Sequence, residues 1–235
     1  MQSIGEALSL AIDLVLSADR DLLEIVGLSL YVSVSATLIA SLVGIPFGAV
    51  LAVSRFRGRG ACLIAVNALM GLPPVVVGLI VYLYLSRSGP LGFLGLLCTP
   101  AAMIIAQAIL IMPIVIALSR QVLEDMSAEY RDTFASFGLS ARQAYVTLTW
   151  EGRFALMTVA LAGFGRAIAE VGAVMIVGGN IDHLTRVMTT AIALETSKGN
   201  LPLALALGIV LVTLALLVNA LVHSVRNTAS RYAHV

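Results

Sequence analysis

The sequence predicts an all-α integral membrane protein with five transmembrane helices and a cytoplasmic helix-turn-helix loop. Of its 235 residues, 60% are hydrophobic and 11% are charged, and the mean hydropathy is +1.02. Such a composition is far from that of a soluble domain. Apolar runs of the roughly 20 residues that cross a bilayer predict the spans, at residues 22–53, 61–85, 100–118, 154–177 and 201–222. The net charge of +1 argues against a nucleic-acid partner.

The N-terminal stretch 1–20 differs from the runs that follow it. Polar residues recur every three or four positions and leave an apolar opposite face, which predicts an amphipathic helix at the membrane surface; these residues are Gln2, Glu6, Ser9, Asp13 and Ser17. It has no basic start and no small-residue cleavage site, so we do not expect a signal peptide. The alternative is a sixth span.

The first span carries small residues at every fourth position, at Ser29, Ser33, Thr37 and Ser41, and this face continues through Gly44 and Gly48. Small residues in register allow helices to approach closely, so the face is either a packing seam or a pathway lining. Pro46 is expected to bend this helix near its end.

The second span follows the basic turn SRFRGRG and is interrupted by Pro73, Pro74 and Gly78. Prolines at membrane depth leave backbone carbonyls that need other partners. This segment is therefore a structural kink or part of a translocation path. After a glycine-rich loop at 86–98, Thr99 and Pro100 are expected to cap and open the third helix, which contains Gln107 and ends near Leu118.

The fourth span carries the charges Arg166 and Glu170, which are four residues apart and therefore face the same side of a helix. Charge in hydrocarbon is costly, so we expect both to face the bundle interior or water, as a structural ion pair or as part of a gate. The polar segment 178–199 is predicted to contain a short, non-spanning helix at 189–194. Asn200 is expected to cap the fifth span, and 226–235 form a tail.

A polar island at 127–153 separates the third and fourth spans. Ser127 is predicted to begin a helix with an aromatic stripe of Tyr130, Phe134 and Phe137, and Gly138 to end it. Ser140 and Gln143 have the spacing of a capping box that starts a second helix, with Ala141, Tyr145 and Leu148 on its apolar face. This hairpin is either a docking surface for a soluble partner or an ordinary solvated loop.

The distribution of basic residues predicts the topology. Five spans with the N-terminus outside and the C-terminus in the cytosol place nine basic residues inside and four outside, as the positive-inside rule expects. The inside set is Arg55, Arg57, Arg59, Arg120, Arg131, Arg142, Arg153, Arg226 and Arg231, and the outside set is Arg20, Arg87, Arg186 and Lys198.

The polar island resembles the coupling loop of ABC importer permeases, whose pattern is E-A-A-x3-G-x9-I-x-L-P. Asp132, Thr133 and Phe134 stand at the first three positions and Gly138 at the glycine; Leu148 stands for isoleucine, and Trp150-Glu151 replace Leu-Pro. GLPPVVVGL at 71–79 and SRSGPLG at 86–92 resemble permeases for molybdate, sulfate or tungstate. GFGRAIAEVGAVMIVGGN at 163–180, followed by TTAIALETSKG, is most similar to tungstate-type permeases.

This resemblance implies a type I ABC importer permease domain over 21–225 that works as a homodimer in a prokaryotic inner membrane. It implies two separate ATPase subunits, which bind ATP and Mg, and an external oxyanion-binding protein. It also implies ATPase coupling by Tyr130, Asp132, Thr133, Phe134, Phe137, Gly138 and Ser140. The candidates for the pathway or its gate are Pro73, Pro74, Gln107, Arg166, Glu170, Gly172, Asn180, Thr189 and Thr190.

The residues themselves are consistent with a transporter that binds no cofactor. The sequence has no G-x-x-x-x-G-K-[ST] motif for a nucleotide. His183 lacks companions at metal-ligand spacing, and Cys62 and Cys98 are expected to be packing residues. An intramembrane enzyme would need convergent catalytic groups, which the sequence does not offer. The remaining alternatives are a permease for molybdate or sulfate and a structural membrane subunit.

Overall fold

A computed structural model describes residues 20–54 and 56–233, together with residues 5, 9, 12, 13, 16 and 17. The side chains of residues 141, 223 and 225–233 are not among those described. Most of the predicted amphipathic segment 1–20 lies outside the described residues, as do Arg55 and most side chains of the predicted tail, so those predictions remain predictions.

All regular secondary structure in the described part of the chain is helical, which confirms the all-α class. We number the helices in chain order: α1 Arg20–Val53, α2 Arg59–Met70, α3 Pro74–Leu85, α4 Pro100–Glu129, α5 Arg131–Ser136, α6 Ala141–Glu151, α7 Arg153–Ile168, α8 Gly172–Gly178, α9 Met188–Ser197 and α10 Leu201–Ala233. A short 3₁₀ helix, Gly92–Leu94, lies in the loop before α4.

Three described helices are individually long and apolar enough to cross a membrane: α1, α4 and the Leu201–Val222 part of α10. The other two predicted spans are each a bent pair, α2 with α3 at 100° and α7 with α8 at 61°. The described chain therefore has three to five spans, depending on whether each pair crosses as a unit. The five-span arrangement remains a prediction.

The first break was expected and the second was not. Pro73 is extended (φ −64°, ψ 127°) and Pro74 opens α3, because a residue before proline is disfavoured in the helical conformation. The fourth span was predicted as one helix, but α7 ends at Ile168 and α8 begins at Gly172. The sequence had suggested an interruption at Gly78, but α3 continues through this residue, which is buried inside the helix.

The small-residue face of the first span is a packing seam. Helices α1 and α4 form the most extensive helix contact, and Ser29, Ser33 and Thr37 are buried. At Gly48 an added β-carbon would come within 2.7 Å of the Ile116 carbonyl oxygen. Only glycine therefore allows this close approach. Pro46 lies inside α1, which continues to Val53.

The third helix is longer than predicted. Helix α4 continues to Glu129 instead of ending near Leu118, so Ser127 lies within it and is not an N-cap. Residues 119–128 include no glycine or proline that would end the helix. Ser119 and Leu123 are fully buried, so packing against the bundle stabilises this extension of the helix. Thr99 does precede Pro100 as predicted, but its hydroxyl donates to the Leu96 carbonyl and does not cap the helix.

The bundle has two distinct ends. The start of α1 lies beside the loop at 179–187, where Glu24 Oε2 is 2.9 Å from His183 Nδ1. The end of α1 lies beside the start of α2 and the end of α4, where Leu51 O accepts a hydrogen bond from Arg59 Nε. The short helix predicted at 189–194 is present and longer, as α9. Asn200 precedes α10, and its carbonyl accepts a hydrogen bond from Ala204 N–H at 3.1 Å.

Candidate functional site

The glycine elbow of the polar island forms as predicted. Gly138 follows α5 with a positive φ of 62°, a conformation that glycine adopts without strain. Leu139 N–H donates to Phe134 O at 3.1 Å, which satisfies a carbonyl at the helix end. Ser140 then caps α6 in a complete capping box with Gln143. The two helices are thereby held at a defined elbow.

The aromatic stripe does not form as predicted. The spacing assumed one helix from Ser127 through Phe137, but the chain turns at Tyr130, between α4 and α5. Tyr130 and Phe134 stack with ring centroids 5.7 Å apart, and both pack on the inner cluster of Ala49, Leu123, Leu148 and Leu156. Phe137 alone of the three is exposed, at 75%.

The outward face of this hairpin contains apolar residues that the sequence reasoning missed. Val146 and Trp150, both on α6, are exposed together with Phe137. Asp132, Thr133 and Ser140 are exposed as well. The signal was available in the sequence, because Val146 and Trp150 lie off the face defined by Tyr145 and Leu148.

The broken spans meet each other. Helices α3 and α8 pack side by side, and an added β-carbon on Gly78 would lie 2.8 Å from Ala173 Cα. At Gly172 an added β-carbon would lie 3.2 Å from Val75 Cγ2. The starts of α3 and α8 are therefore adjacent, and Pro73 and Pro74 lie close to Gly172.

Polar side chains from other helices satisfy the backbone at the second break. Gln107 Nε2 donates to the Ala167 carbonyl at 3.0 Å, and Thr189 Oγ1 donates to the Glu170 carbonyl at 2.8 Å. Ala173 N–H donates to Glu170 Oε1 at 3.2 Å. Helix breaks are tolerated at membrane depth when neighbours supply such partners. The structure thus brings Gln107, Glu170, Gly172 and Thr189 together.

Arg166 and Glu170 form the expected ion pair, with 2.6 Å between Arg166 Nη1 and Glu170 Oε2. The Glu170 side chain is 4% exposed, while that of Arg166 is 38% exposed. The carboxylate is therefore fixed in the bundle, and the guanidinium reaches the surface of the single chain.

The remaining candidates lie around this break or near it. Thr190 caps its own helix, with Val187 N–H donating to its hydroxyl at 3.1 Å. Asn180 follows α8 with φ +51°, and its Oδ1 is buried with no hydrogen-bond partner among the described residues. Thr185, which the sequence did not single out, is fully buried and donates to the Gly178 carbonyl at 2.6 Å. These residues shape the segment after α8.

The described residues contain no cluster of three His, Cys, Asp or Glu side chains that could hold a metal ion. His183 instead contacts Glu24, and this hydrogen bond, together with the charges of Asp182 and Glu24, raises the pKa of His183 above its ordinary value. The two cysteines are half-buried and unpaired.

Comparison with known families shows to which family the chain belongs. The family described as "Binding-protein-dependent transport system inner membrane component" matches residues 44–229, which include both broken spans and the polar island. The chain belongs to this family. It is a membrane permease of the ABC importer type and not an enzyme. The assignment of the polar island as its coupling loop remains a prediction.

Individual permeases are similar over most of the chain. The tungstate uptake system permease protein TupB of Peptoclostridium acidaminophilum is 41% identical over 96% of this chain and 99% of its own length. TupB of Campylobacter jejuni is 42% identical over 74% of this chain and 73% of its own length. A probable anion ABC transporter permease of Haloferax volcanii is 41% identical over 85% of this chain and 88% of its own length. Molybdenum and sulfate transport permeases are 25–29% identical.

Proposed function

We propose that this permease moves tungstate across the inner membrane by alternating access. The support for tungstate is comparative, because permeases named for tungstate uptake are markedly more similar to this chain than those named for molybdenum or sulfate. ATP hydrolysis would take place on two separate ATPase subunits, and an external binding protein would deliver the anion. Molybdate is the nearest alternative substrate.

The meeting of the two broken spans is the observation that carries a transport role. In a single chain the region around both breaks is open, since Pro73, Val75 and Val171 are exposed. A second copy facing this surface would enclose a path between two sets of helix breaks. Transport proteins place interrupted helices at the path because irregular backbone is tolerated where it lines a cavity. Such a homodimer is part of the proposal.

The Arg166–Glu170 pair suits passage of an anion rather than its retention. Arg166 offers a guanidinium at the open surface, and Glu170 partly neutralises it at 2.6 Å. A conduction path needs sites strong enough to admit an ion and weak enough to release it. Selectivity for tungstate would then reside largely in the binding protein.

The exposed face of the hairpin is the proposed contact with the ATPase. Phe137, Val146 and Trp150 provide apolar anchors, and Asp132 and Thr133 provide polar contacts around them. This end of the bundle contains Arg59, Arg120 and Arg131, so the positive-inside rule favours the cytosol for it. The N-terminus would then lie outside and the C-terminus inside.

Stimulation of ATP hydrolysis tests this function. The permease, its ATPase and the binding protein would be purified and combined in nanodiscs. We expect tungstate-loaded binding protein to stimulate ATP hydrolysis, and empty or sulfate-loaded binding protein to stimulate it much less. Equal stimulation by all three forms would contradict the assigned substrate, and no stimulation at all would contradict the importer role.

A further inference from the structure

A cavity of about 310 Å³ lies at the end of the bundle that contains the polar island. Its walls come from the end of α1, the start of α2, the last turns of α4 and helix α5. The side chains that matter here are those of Ser54, Arg59, Glu124, Ser127, Arg131 and Phe134. Its volume is at the lower limit of that of small-molecule sites.

Hydrogen-bond donors outnumber acceptors around this cavity. Glu124 is already shared between two arginines, with Oε1 2.9 Å from Arg59 Nη2 and Oε2 2.7 Å from Arg120 Nη2. Arg59 Nε also donates to the Leu51 carbonyl at 2.8 Å, which fixes this guanidinium. Each carboxylate oxygen of Glu124 therefore already pairs with one arginine, which uses its negative charge within the protein.

The other donors have no partner in the described part of the chain. No described carboxylate lies within ion-pair distance of Arg131. The hydroxyls of Ser54 and Ser127 form no side-chain hydrogen bond with a described residue. Asp125 and Glu129 are on the same helix as Glu124 but do not line the cavity. The site is thus short of negative charge and of acceptor atoms.

We propose that this cavity binds the phosphate group of an anionic phospholipid. A phosphate supplies the missing charge and several acceptor oxygens, and arginine is well suited to bind it through paired hydrogen bonds. The cavity lies where the apolar run of α1 ends, at Ala52 and Val53, and the end of an apolar run is where lipid headgroups are expected. Basic pockets between spans at the cytoplasmic surface are a recurrent form of lipid recognition.

A bound headgroup would connect the membrane to the hairpin. Arg131 and Phe134 belong to α5, while Ser54 directly follows α1 and Arg59 begins α2. The ligand would therefore stabilise the position of α5 against the spans. This inference does not depend on which oxyanion is transported.

Lipid retention by the purified full-length permease tests the proposal. The protein would be extracted from vesicles of phosphatidylcholine and phosphatidylglycerol, and the lipids that remain bound would be counted by native mass spectrometry. We expect wild-type protein to retain phosphatidylglycerol in preference to phosphatidylcholine. Arg131→Gln should lower this retention about tenfold, the effect of losing one charge-assisted hydrogen bond.

Arg142→Gln is the matched control, because Arg142 is an exposed arginine on α6 outside the cavity. It should retain phosphatidylglycerol as the wild type does, and both variants should unfold at the wild-type temperature. Equal retention by Arg131→Gln and Arg142→Gln would overturn the proposal, as would the absence of any preference for phosphatidylglycerol.

Two further experiments test whether a soluble oxyanion or the ATPase, instead of a lipid, occupies the cavity. Inorganic phosphate and tungstate would be added to protein in phosphatidylcholine nanodiscs. Arg131-dependent binding of either, without lipid preference, would assign the cavity to a soluble oxyanion and overturn the lipid assignment. Loss of ATPase association in Arg131→Gln with unchanged lipid retention would assign the cavity to the ATPase and overturn it as well.

Discussion

At the scale of single residues, the two partners of the intramembrane ion pair differ in burial. Glu170 is fixed by Arg166 and by Ala173 N–H, and it is 4% exposed. Arg166 is 38% exposed on the surface of the single chain. Removing the arginine therefore leaves a buried carboxylate uncompensated, whereas removing both charges does not.

We predict that Arg166→Ala destabilises the protein more than Arg166→Ala combined with Glu170→Gln, which keeps an acceptor for Ala173. Breaking a buried pair costs about 3 kcal/mol when one charge is stranded. The free energy of unfolding in detergent would be compared across the single and double variants. Arg87→Ala serves as a control, since Arg87 is exposed and no described carboxylate pairs with it. Losses that simply add would show that the two residues do not interact.

His183 provides a second residue-scale prediction, outside the spans. Its pKa is raised above the ordinary value of 6.5 by the hydrogen bond with Glu24 and by the charge of Asp182. A raised folded-state pKa stabilises the fold fully below the ordinary pKa, and this contribution is lost as the pH rises through the raised value. Glu24→Gln should lower the pKa of His183 toward 6.5 in an NMR titration, and an unchanged pKa would contradict the contact.

At the scale of elements, some aromatic residues of the hairpin pack inside the bundle and others are exposed. Phe134 packs against the inner cluster with Tyr130, while Phe137 is exposed beyond the helix end. The periodicity in the sequence placed all three on one face because it assumed an unbroken helix. The break at Tyr130 contradicts that conclusion, so the proposed docking contact moves to Phe137 and to the exposed face of α6.

We predict that Phe137→Ala weakens association with the ATPase by about 2 kcal/mol, as loss of an aromatic anchor does. Phe134→Ala should chiefly lower the stability of the fold, because it empties part of a packed cluster. Association would be measured by titrating purified ATPase onto permease in nanodiscs. Phe93→Ala is the matched control, an exposed phenylalanine (82%) in the loop before α4. Unaltered association in Phe137→Ala would exclude this face as the contact.

Local signals in the sequence predicted some elements accurately and missed others for physical reasons. Gly138, the Ser140 capping box and the Pro73–Pro74 break are specified by nearby residues, and each forms as expected. The break before Gly172 was missed because its stabilising partners, Gln107 and Thr189, are distant in sequence. The continuation of α4 to Glu129 likewise depends on tertiary packing.

At the scale of the whole molecule, the two ends of the bundle differ in chemistry. One end contains the hairpin, the basic cavity and the Arg59–Glu124–Arg120 network, while the other contains the Glu24–His183 contact. Between them lie the two broken spans, packed through Gly78 and Gly172. This arrangement fits the proposed importer, in which the ATPase would act at the first end, the substrate would arrive at the second and the path would lie at the breaks.

Uptake in a defined system tests this account most directly. Permease, ATPase and binding protein would be reconstituted into proteoliposomes, and accumulation of radiolabelled tungstate would be followed with and without ATP. We expect ATP-dependent accumulation that excess sulfate barely reduces and that excess molybdate reduces less than unlabelled tungstate does. Equal competition by sulfate would contradict the substrate, and tungstate accumulation that proceeds equally without ATP would contradict the importer mechanism itself.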